Sequence, residues 1–119
     1  MGVSNPAQYR VPEFESFERF LFEWLAHRDV LKLDKIFQPQ CWFVCGASGE
    51  NMLDFTGKVE RIDKDLAFVQ EQLGSRLELP HVNRTMASGG YAEAYRSAEM
   101  IDLVAGIYAK DIALFNYDF

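Results

Sequence analysis

The segment from residue 41 to 60 most constrains the fold, because nowhere else does the sequence read convincingly as strand. Residues 41–45 form a short aromatic and apolar run, which is typical of a buried strand. Turn-forming residues fill 46–51, and a second apolar segment follows at 52–60, interrupted at Gly57. The sequence therefore predicts a single antiparallel β-hairpin with strands at 41–45 and 52–60.

Helical periodicity surrounds this hairpin. A wide apolar stripe predicts a helix over 16–28, with Ser16 as its N-cap. A second helix is predicted over 63–73, opened by Asp63, with Leu66, Val69 and Leu73 buried, and ended by Gly74. Ser97 caps a predicted final helix that continues to about Phe115.

These elements predict a mainly α fold with one β-hairpin, in the α+β class. The chain has 119 residues, which suits a single domain over 1–119, with 1–12 as a loose N-terminal segment. The net charge of −6 argues against a nucleic-acid partner, because phosphate binding requires clustered Lys and Arg. No apolar run approaches the roughly 18 residues of a membrane span, and no signal-peptide core is present, so we expect a cytoplasmic chain.

Cys41 and Cys45 are the chain's two cysteines. On a strand their Cα atoms would lie about 13 Å apart, which is too far for a disulfide. A metal site would require His27 or His81 to join them, and the spacing matches no known ligand pattern. The sequence therefore predicts buried free thiols and no metal.

Several short motifs occur in a characteristic order. They are Pro39-Gln40, DFTGKVE at 54–60, a helix opened by Asp65, LPHVN at 79–83, and YAKDIALFNYDF at 108–119. In this order they resemble the C-terminal part of the carbohydrate sulfotransferase family, the Golgi-type (family 2) enzymes and their bacterial relatives. The resemblance covers roughly residues 13–119.

The resemblance implies the C-terminal fragment of a P-loop-type α/β fold and sulfuryl transfer from 3′-phosphoadenosine-5′-phosphosulfate to a carbohydrate hydroxyl. In that family a strand–loop–helix motif holds the 5′-phosphosulfate and an Arg-Asp-Pro…Arg…Ser motif holds the 3′-phosphate. Neither motif occurs in these 119 residues, and no other Gly-rich phosphate loop replaces them. We therefore expect a truncated or separate C-terminal module that binds no donor tightly and is inactive by itself.

The resemblance also suggests individual site residues. Arg84 and Thr85 match the loop that closes over the nucleotide in related enzymes, and a guanidinium there could pair with phosphate; a solvated loop is the alternative. Glu60 is expected to anchor its strand, and Asp111 to cap or tether a neighbouring segment. His81 is a candidate base only by elimination, so no catalytic residue is assigned.

Two further readings remain open. The chain could be a small helical interaction module that self-associates without catalytic activity, or a partner chain with the missing N-terminal half could supply the nucleotide site. We expect a homodimer, because the helix at 16–28 carries more apolar side chains than one buried stripe requires.

Overall fold

The computed structural model describes residues 3–80 and 90–119. Within these ranges the chain is mostly helical, and no strand is assigned. The described residues fall into two compact units, one formed by 3–52 with 90–119 and the other by 53–80. Helix α1 is made of three consecutive segments, Phe17–Arg19, Phe20–Trp24 and Leu25–His27. The α-helices that follow it in the described ranges are α2 Cys41–Val44, α3 Ile62–Leu73, α4 Ala98–Ile107 and α5 Ala109–Phe115. None of the helices in the described ranges is both long and apolar enough to cross a membrane.

Helix α1 begins where the sequence predicts. The Ser16 hydroxyl accepts a hydrogen bond from the backbone N–H of Arg19 at 3.2 Å, which satisfies one of the unpaired donors of the first turn. The helix then widens into a π segment, Phe20–Trp24, and ends in the 3₁₀ turn Leu25–His27. The sequence pattern did not indicate this change of pitch.

The larger unit is built around α1. Leu21, Trp24 and Leu25 pack with Met100 of α4, and all four side chains are buried. Four further aromatic rings surround this core, and each of them contacts the ring of Trp24: Tyr9, Phe14, Phe20 and Phe37. The apolar side chains that appeared to exceed one buried stripe are therefore largely used within the chain. The physical motive for a dimer is weaker as a result, and the homodimer stays a prediction.

The predicted β-hairpin is wrong. Cys41–Val44 is a helical turn, in which the N–H of Cys45 donates to the carbonyl of Cys41 at 2.9 Å. A single antiparallel bridge, Cys45 to Asn51, is all that remains of the expected pairing at 41–60. The local sequence favours a strand at 41–45, but a distant carboxylate stabilises the helical turn instead, as described below.

The smaller unit contains the 3₁₀ turn Val59–Arg61, which leads directly into α3. Gly74 ends this helix as predicted, at a φ of 62°. The N–H of Ser75 donates to the carbonyl of Gln70, and that of Gly74 to Glu71, which is the Schellman pattern. The helix starts earlier than predicted, with Arg61 in the N-cap position, so Asp63 lies inside the first turn.

The burial of α3 also differs from the prediction. Leu66 and Val69 are half-buried, but the side chain of Leu73 is 64% exposed. The predicted apolar stripe is thus covered only in part within the described residues of this unit.

The predicted final helix is divided in two. Ser97 caps α4 by accepting from the N–H of Met100 at 3.4 Å, which confirms the predicted start. The helix is interrupted at Tyr108, whose φ and ψ of −109° and 27° lie outside the helical region, and α5 then runs to Phe115. Asn116 follows in the left-handed conformation with a φ of 53°.

Candidate functional site

The residues that the resemblance suggests for donor binding, Arg84 and Thr85, lie outside the described residues, as does His81. Glu60 lies on the exposed 3₁₀ turn Val59–Arg61. Among the described residues, it is carboxylates that contact other segments of the chain, and they form the candidate site.

Asp111, in the first turn of α5, contacts residues that lie 70 and 71 positions earlier in the chain. Its side chain is buried, Oδ2 accepts the backbone N–H of Gln40 at 2.6 Å, and Oδ1 accepts that of Cys41 at 2.8 Å. These are N–H groups that the start of α2 leaves without a partner in the helix. A residue 70 positions away along the chain thus caps α2, which confirms the predicted tethering role of Asp111.

A second contact joins the same two segments. The hydroxyl of Tyr108 donates to the carbonyl of Phe37 at 2.8 Å, so the chain before α2 is held at both ends by the turn between α4 and α5. Burial raises the pKa of Tyr108, and the nearby Asp111 charge adds to this shift.

The thiol of Cys41 completes this junction. Its pKa is raised to about 11, chiefly by burial and then by the neighbouring carboxylate of Asp111. A neutral thiol is the form that can donate to a carboxylate. The Cys41 sulfur is therefore protonated at neutral pH and is a poor nucleophile by itself.

Asp65 plays a comparable role in the smaller unit. Its Oδ2 atom accepts the backbone N–H of Lys58 at 2.7 Å and the Nε–H of Arg61 at 3.0 Å. The bond from Lys58 is the main reason that the pKa of Asp65 is lowered, and Arg61 adds to the effect. A Cβ atom added to Gly57 would lie 3.2 Å from that of Asp65, so a glycine permits this close approach. The anchor in this segment is Asp65, whereas the family resemblance predicts that role for Glu60.

Asp34 forms a third carboxylate centre. It accepts hydrogen bonds from the N–H of Ser4 at 3.2 Å, the hydroxyl of Ser4, the amide of Gln8 at 3.0 Å and the hydroxyl of Tyr9 at 2.5 Å. The bonds from Ser4 and then Tyr9 lower the pKa of Asp34. Residues 4–9, expected as part of a loose N-terminal segment, are therefore fastened to the larger unit.

We expect Asp34→Ala to release residues 4–9, because it removes the common acceptor of all these bonds. Cleavage by trypsin after Arg10 should become several-fold faster, while Asp102→Ala, which removes an exposed carboxylate, should leave it unchanged. In the wild type the same release should occur only in acid, because the pKa of Asp34 is lowered. The ionised carboxylate therefore holds residues 4–9 fully at any pH above the ordinary carboxyl pKa. This stabilisation is lost as the pH falls through the lowered pKa. Equal cleavage rates in both variants would contradict this role of Asp34.

The sequence singled out Asp111 but not Asp34. Asp111 falls within a motif that carries the family resemblance, whereas the partners of Asp34 lie up to 30 positions earlier in the chain. No spacing rule connects such distant residues. Within the part of the chain that the structure describes, the His, Cys, Asp and Glu side chains form no group that could hold a metal ion.

Comparison with known proteins identifies a family. The model of the sulfotransferase family matches residues 3–118, which is nearly the whole chain. No curated protein and no solved structure matches it. The chain therefore belongs to the sulfotransferase family.

Proposed function

We propose that the chain serves sulfuryl transfer from 3′-phosphoadenosine-5′-phosphosulfate to a carbohydrate hydroxyl, and that it supplies the framework of the C-terminal part of the P-loop-type α/β fold. The observation that carries the proposal is a contact between two of the motifs. The N–H of Gln40, in the Pro39-Gln40 motif, donates at 2.6 Å to Asp111, in the motif at 108–119. The family match over residues 3–118 supports the sulfotransferase assignment itself.

The DFTGKVE motif at 54–60 supports the same framework role. Lys58, within the motif at 54–60, donates its backbone N–H to Asp65, the acidic residue of the helix that follows. The motif residues thus bond to one another across turns and helices. Residues that hold segments together in this way define a framework on which reacting groups are placed.

The same carboxylates are poorly suited to proton transfer. A general base must reach the acceptor hydroxyl with an oxygen that is able to accept its proton. Both oxygens of Asp111 already accept backbone N–H groups, and Oδ2 of Asp65 accepts two donors. We therefore assign neither residue a catalytic role, and the base is expected from another part of the enzyme.

Donor binding requires cationic side chains and backbone N–H groups that face the phosphates. Several arginines of the described residues already have partners: Arg19 pairs with Glu15 and Glu23, Arg61 pairs with Asp65, and the guanidinium of Arg28 lies over the ring of Trp24. Arg84 and Thr85 remain the residues through which we propose that this chain contacts the nucleotide, with the main phosphate site supplied by a segment or partner that carries the missing motifs.

Calorimetry with adenosine 3′,5′-bisphosphate tests this division of roles. We expect the 119-residue chain to show no micromolar binding, because it has no recognisable phosphate cradle. Arg84→Ala serves as the matched variant. A micromolar dissociation constant that Arg84→Ala abolishes would contradict the framework proposal and would make Arg84 a principal donor ligand.

The sulfuryl-transfer part of the proposal needs a separate measurement. In the source cells, Asp111→Asn in the genomic copy should reduce the incorporation of labelled sulfate into carbohydrate, because it disrupts the junction of two motifs. Glu60→Gln, on an exposed turn, is the matched control. Unchanged incorporation in the Asp111 variant would reject the assignment to carbohydrate sulfation, whatever the calorimetry shows.

A further inference from the structure

The helical turn at 41–44 brings the chain's two cysteines together. The N–H of Cys45 donates to the carbonyl of Cys41 at 2.9 Å, and both residues are half-buried free thiols. One helical turn separates their Cα atoms by about 6 Å. Disulfides span Cα distances of about 4.4–6.8 Å, so the strand geometry that excluded a bond between these residues no longer applies.

We propose that Cys41 and Cys45 form a reversible intramolecular disulfide, which makes the junction between α2 and α5 sensitive to oxidation. The oxidant is a low-molecular-weight disulfide such as glutathione disulfide. This inference is independent of the proposed function, because it depends only on the two thiols and their contacts within the larger unit.

The chemistry assigns different roles to the two sulfurs. Cys41 is held as a neutral thiol beside Asp111, with its pKa raised to about 11. Because the thiolate is the nucleophile in thiol–disulfide exchange, the first attack comes from Cys45. The Cys45 thiolate, having lost its proton to solvent, attacks one sulfur of glutathione disulfide and displaces a glutathione thiolate, which gives a mixed disulfide on Cys45.

The second step closes the bond. The sulfur of Cys41 loses its proton and attacks the Cys45 sulfur, the mixed disulfide breaks, and a second glutathione leaves. The two electrons given up by the protein thiols reduce glutathione disulfide to two glutathione thiols, and the two protons return to those products.

Closing the bond must alter the junction. Cβ atoms one helical turn apart are separated by about 5–6 Å, whereas a disulfide requires about 3.8 Å, so the α2 turn has to distort. The bond also removes the proton of the Cys41 thiol that lies beside the Asp111 carboxylate. Trp42 and Phe43 lie between the cysteines, and their side chains are 63% and 47% exposed, so they are free to move with the turn.

Mass spectrometry of the intact chain after thiol alkylation tests the proposal. The protein is equilibrated in glutathione buffers that range from fully reduced to fully oxidised, and the alkylated thiols are counted. We expect two alkylated thiols in reduced buffer and none in oxidised buffer, with the mass loss of two hydrogens and no increase in molecular size. Full return on adding reduced glutathione would show that the bond is reversible.

Single cysteine variants test the role of each sulfur. Cys41→Ser leaves Cys45 without a partner and should accumulate the mixed disulfide with glutathione, whereas Cys45→Ser should react far more slowly because the remaining thiol is the one held by Asp111. Amide hydrogen exchange should increase at 40–45 on oxidation of the wild type. The proposal is rejected if the wild type retains two free thiols in oxidised buffer, if it stops at the glutathione adduct, or if it forms linked dimers.

Discussion

Asp111→Ala is expected to lower the free energy of unfolding by about 2–4 kcal/mol, because it removes two charge-assisted hydrogen bonds of about 1.5–3 kcal/mol each, and water that reaches the part-buried N–H groups restores only part of this loss. The groups concerned are the N–H of Gln40 and of Cys41 at the start of α2. A domain of this kind is stable by only about 5–15 kcal/mol, so the loss would be a large fraction of the total.

Urea unfolding followed by circular dichroism measures this effect. Asp102→Ala is the matched control, since Asp102 is an exposed carboxylate on the neighbouring helix α4. Its removal should change the stability by less than about 0.5 kcal/mol. Equal stability in the two variants would mean that Asp111 does not hold α2 in solution, and the contact that carries the proposed function would lose its support.

The sequence predicts helix ends correctly where residues of a single turn determine them. Ser16 and Ser97 cap helices, and Gly74 ends one, because each of these roles depends on contacts within a few residues. Such signals are readable from the chain without knowledge of the fold.

The failed prediction at 41–45 has a different origin. The aromatic and apolar residues of this run favour a strand by propensity, but propensity in strands depends strongly on context. Here the context is the carboxylate of Asp111, 71 positions from Gln40, which satisfies the donors of a helical turn. No pattern within the segment could reveal that partner.

The predictions for the candidate site succeeded where local signals decide and failed where distant contacts decide. The sequence predicts a capping or tethering role for Asp111 but not its target, and the resemblance predicts Glu60, not Asp65, as the anchor of its segment. The contacts of Asp34 with Ser4, Gln8 and Tyr9 likewise depend on the chain returning to its own N-terminal segment. Long-range hydrogen bonds of this kind are decided by the fold, and single-sequence reasoning reaches them only where a family pattern marks one end.

The core of the larger unit gives the other large expected effect. Leu21 is 1% exposed and packs against Met100, which is fully buried, so Leu21→Ala should leave a cavity between α1 and α4. Such substitutions cost about 2–5 kcal/mol. The loss cannot come from weaker helix formation, because alanine has the highest helix propensity, and it would therefore report packing directly.

Urea unfolding again provides the measurement, with Leu31→Ala as the control because the Leu31 side chain is 45% exposed. Met100→Leu tests the other side of the contact: it keeps the volume nearly constant and should cost less than about 1.5 kcal/mol. A Leu21 variant no less stable than the Leu31 variant would show that α1 and α4 do not form the principal core. If α1 were instead buried mainly by association of two chains, its stability would rise with protein concentration in the wild type, which the same titration at two concentrations detects.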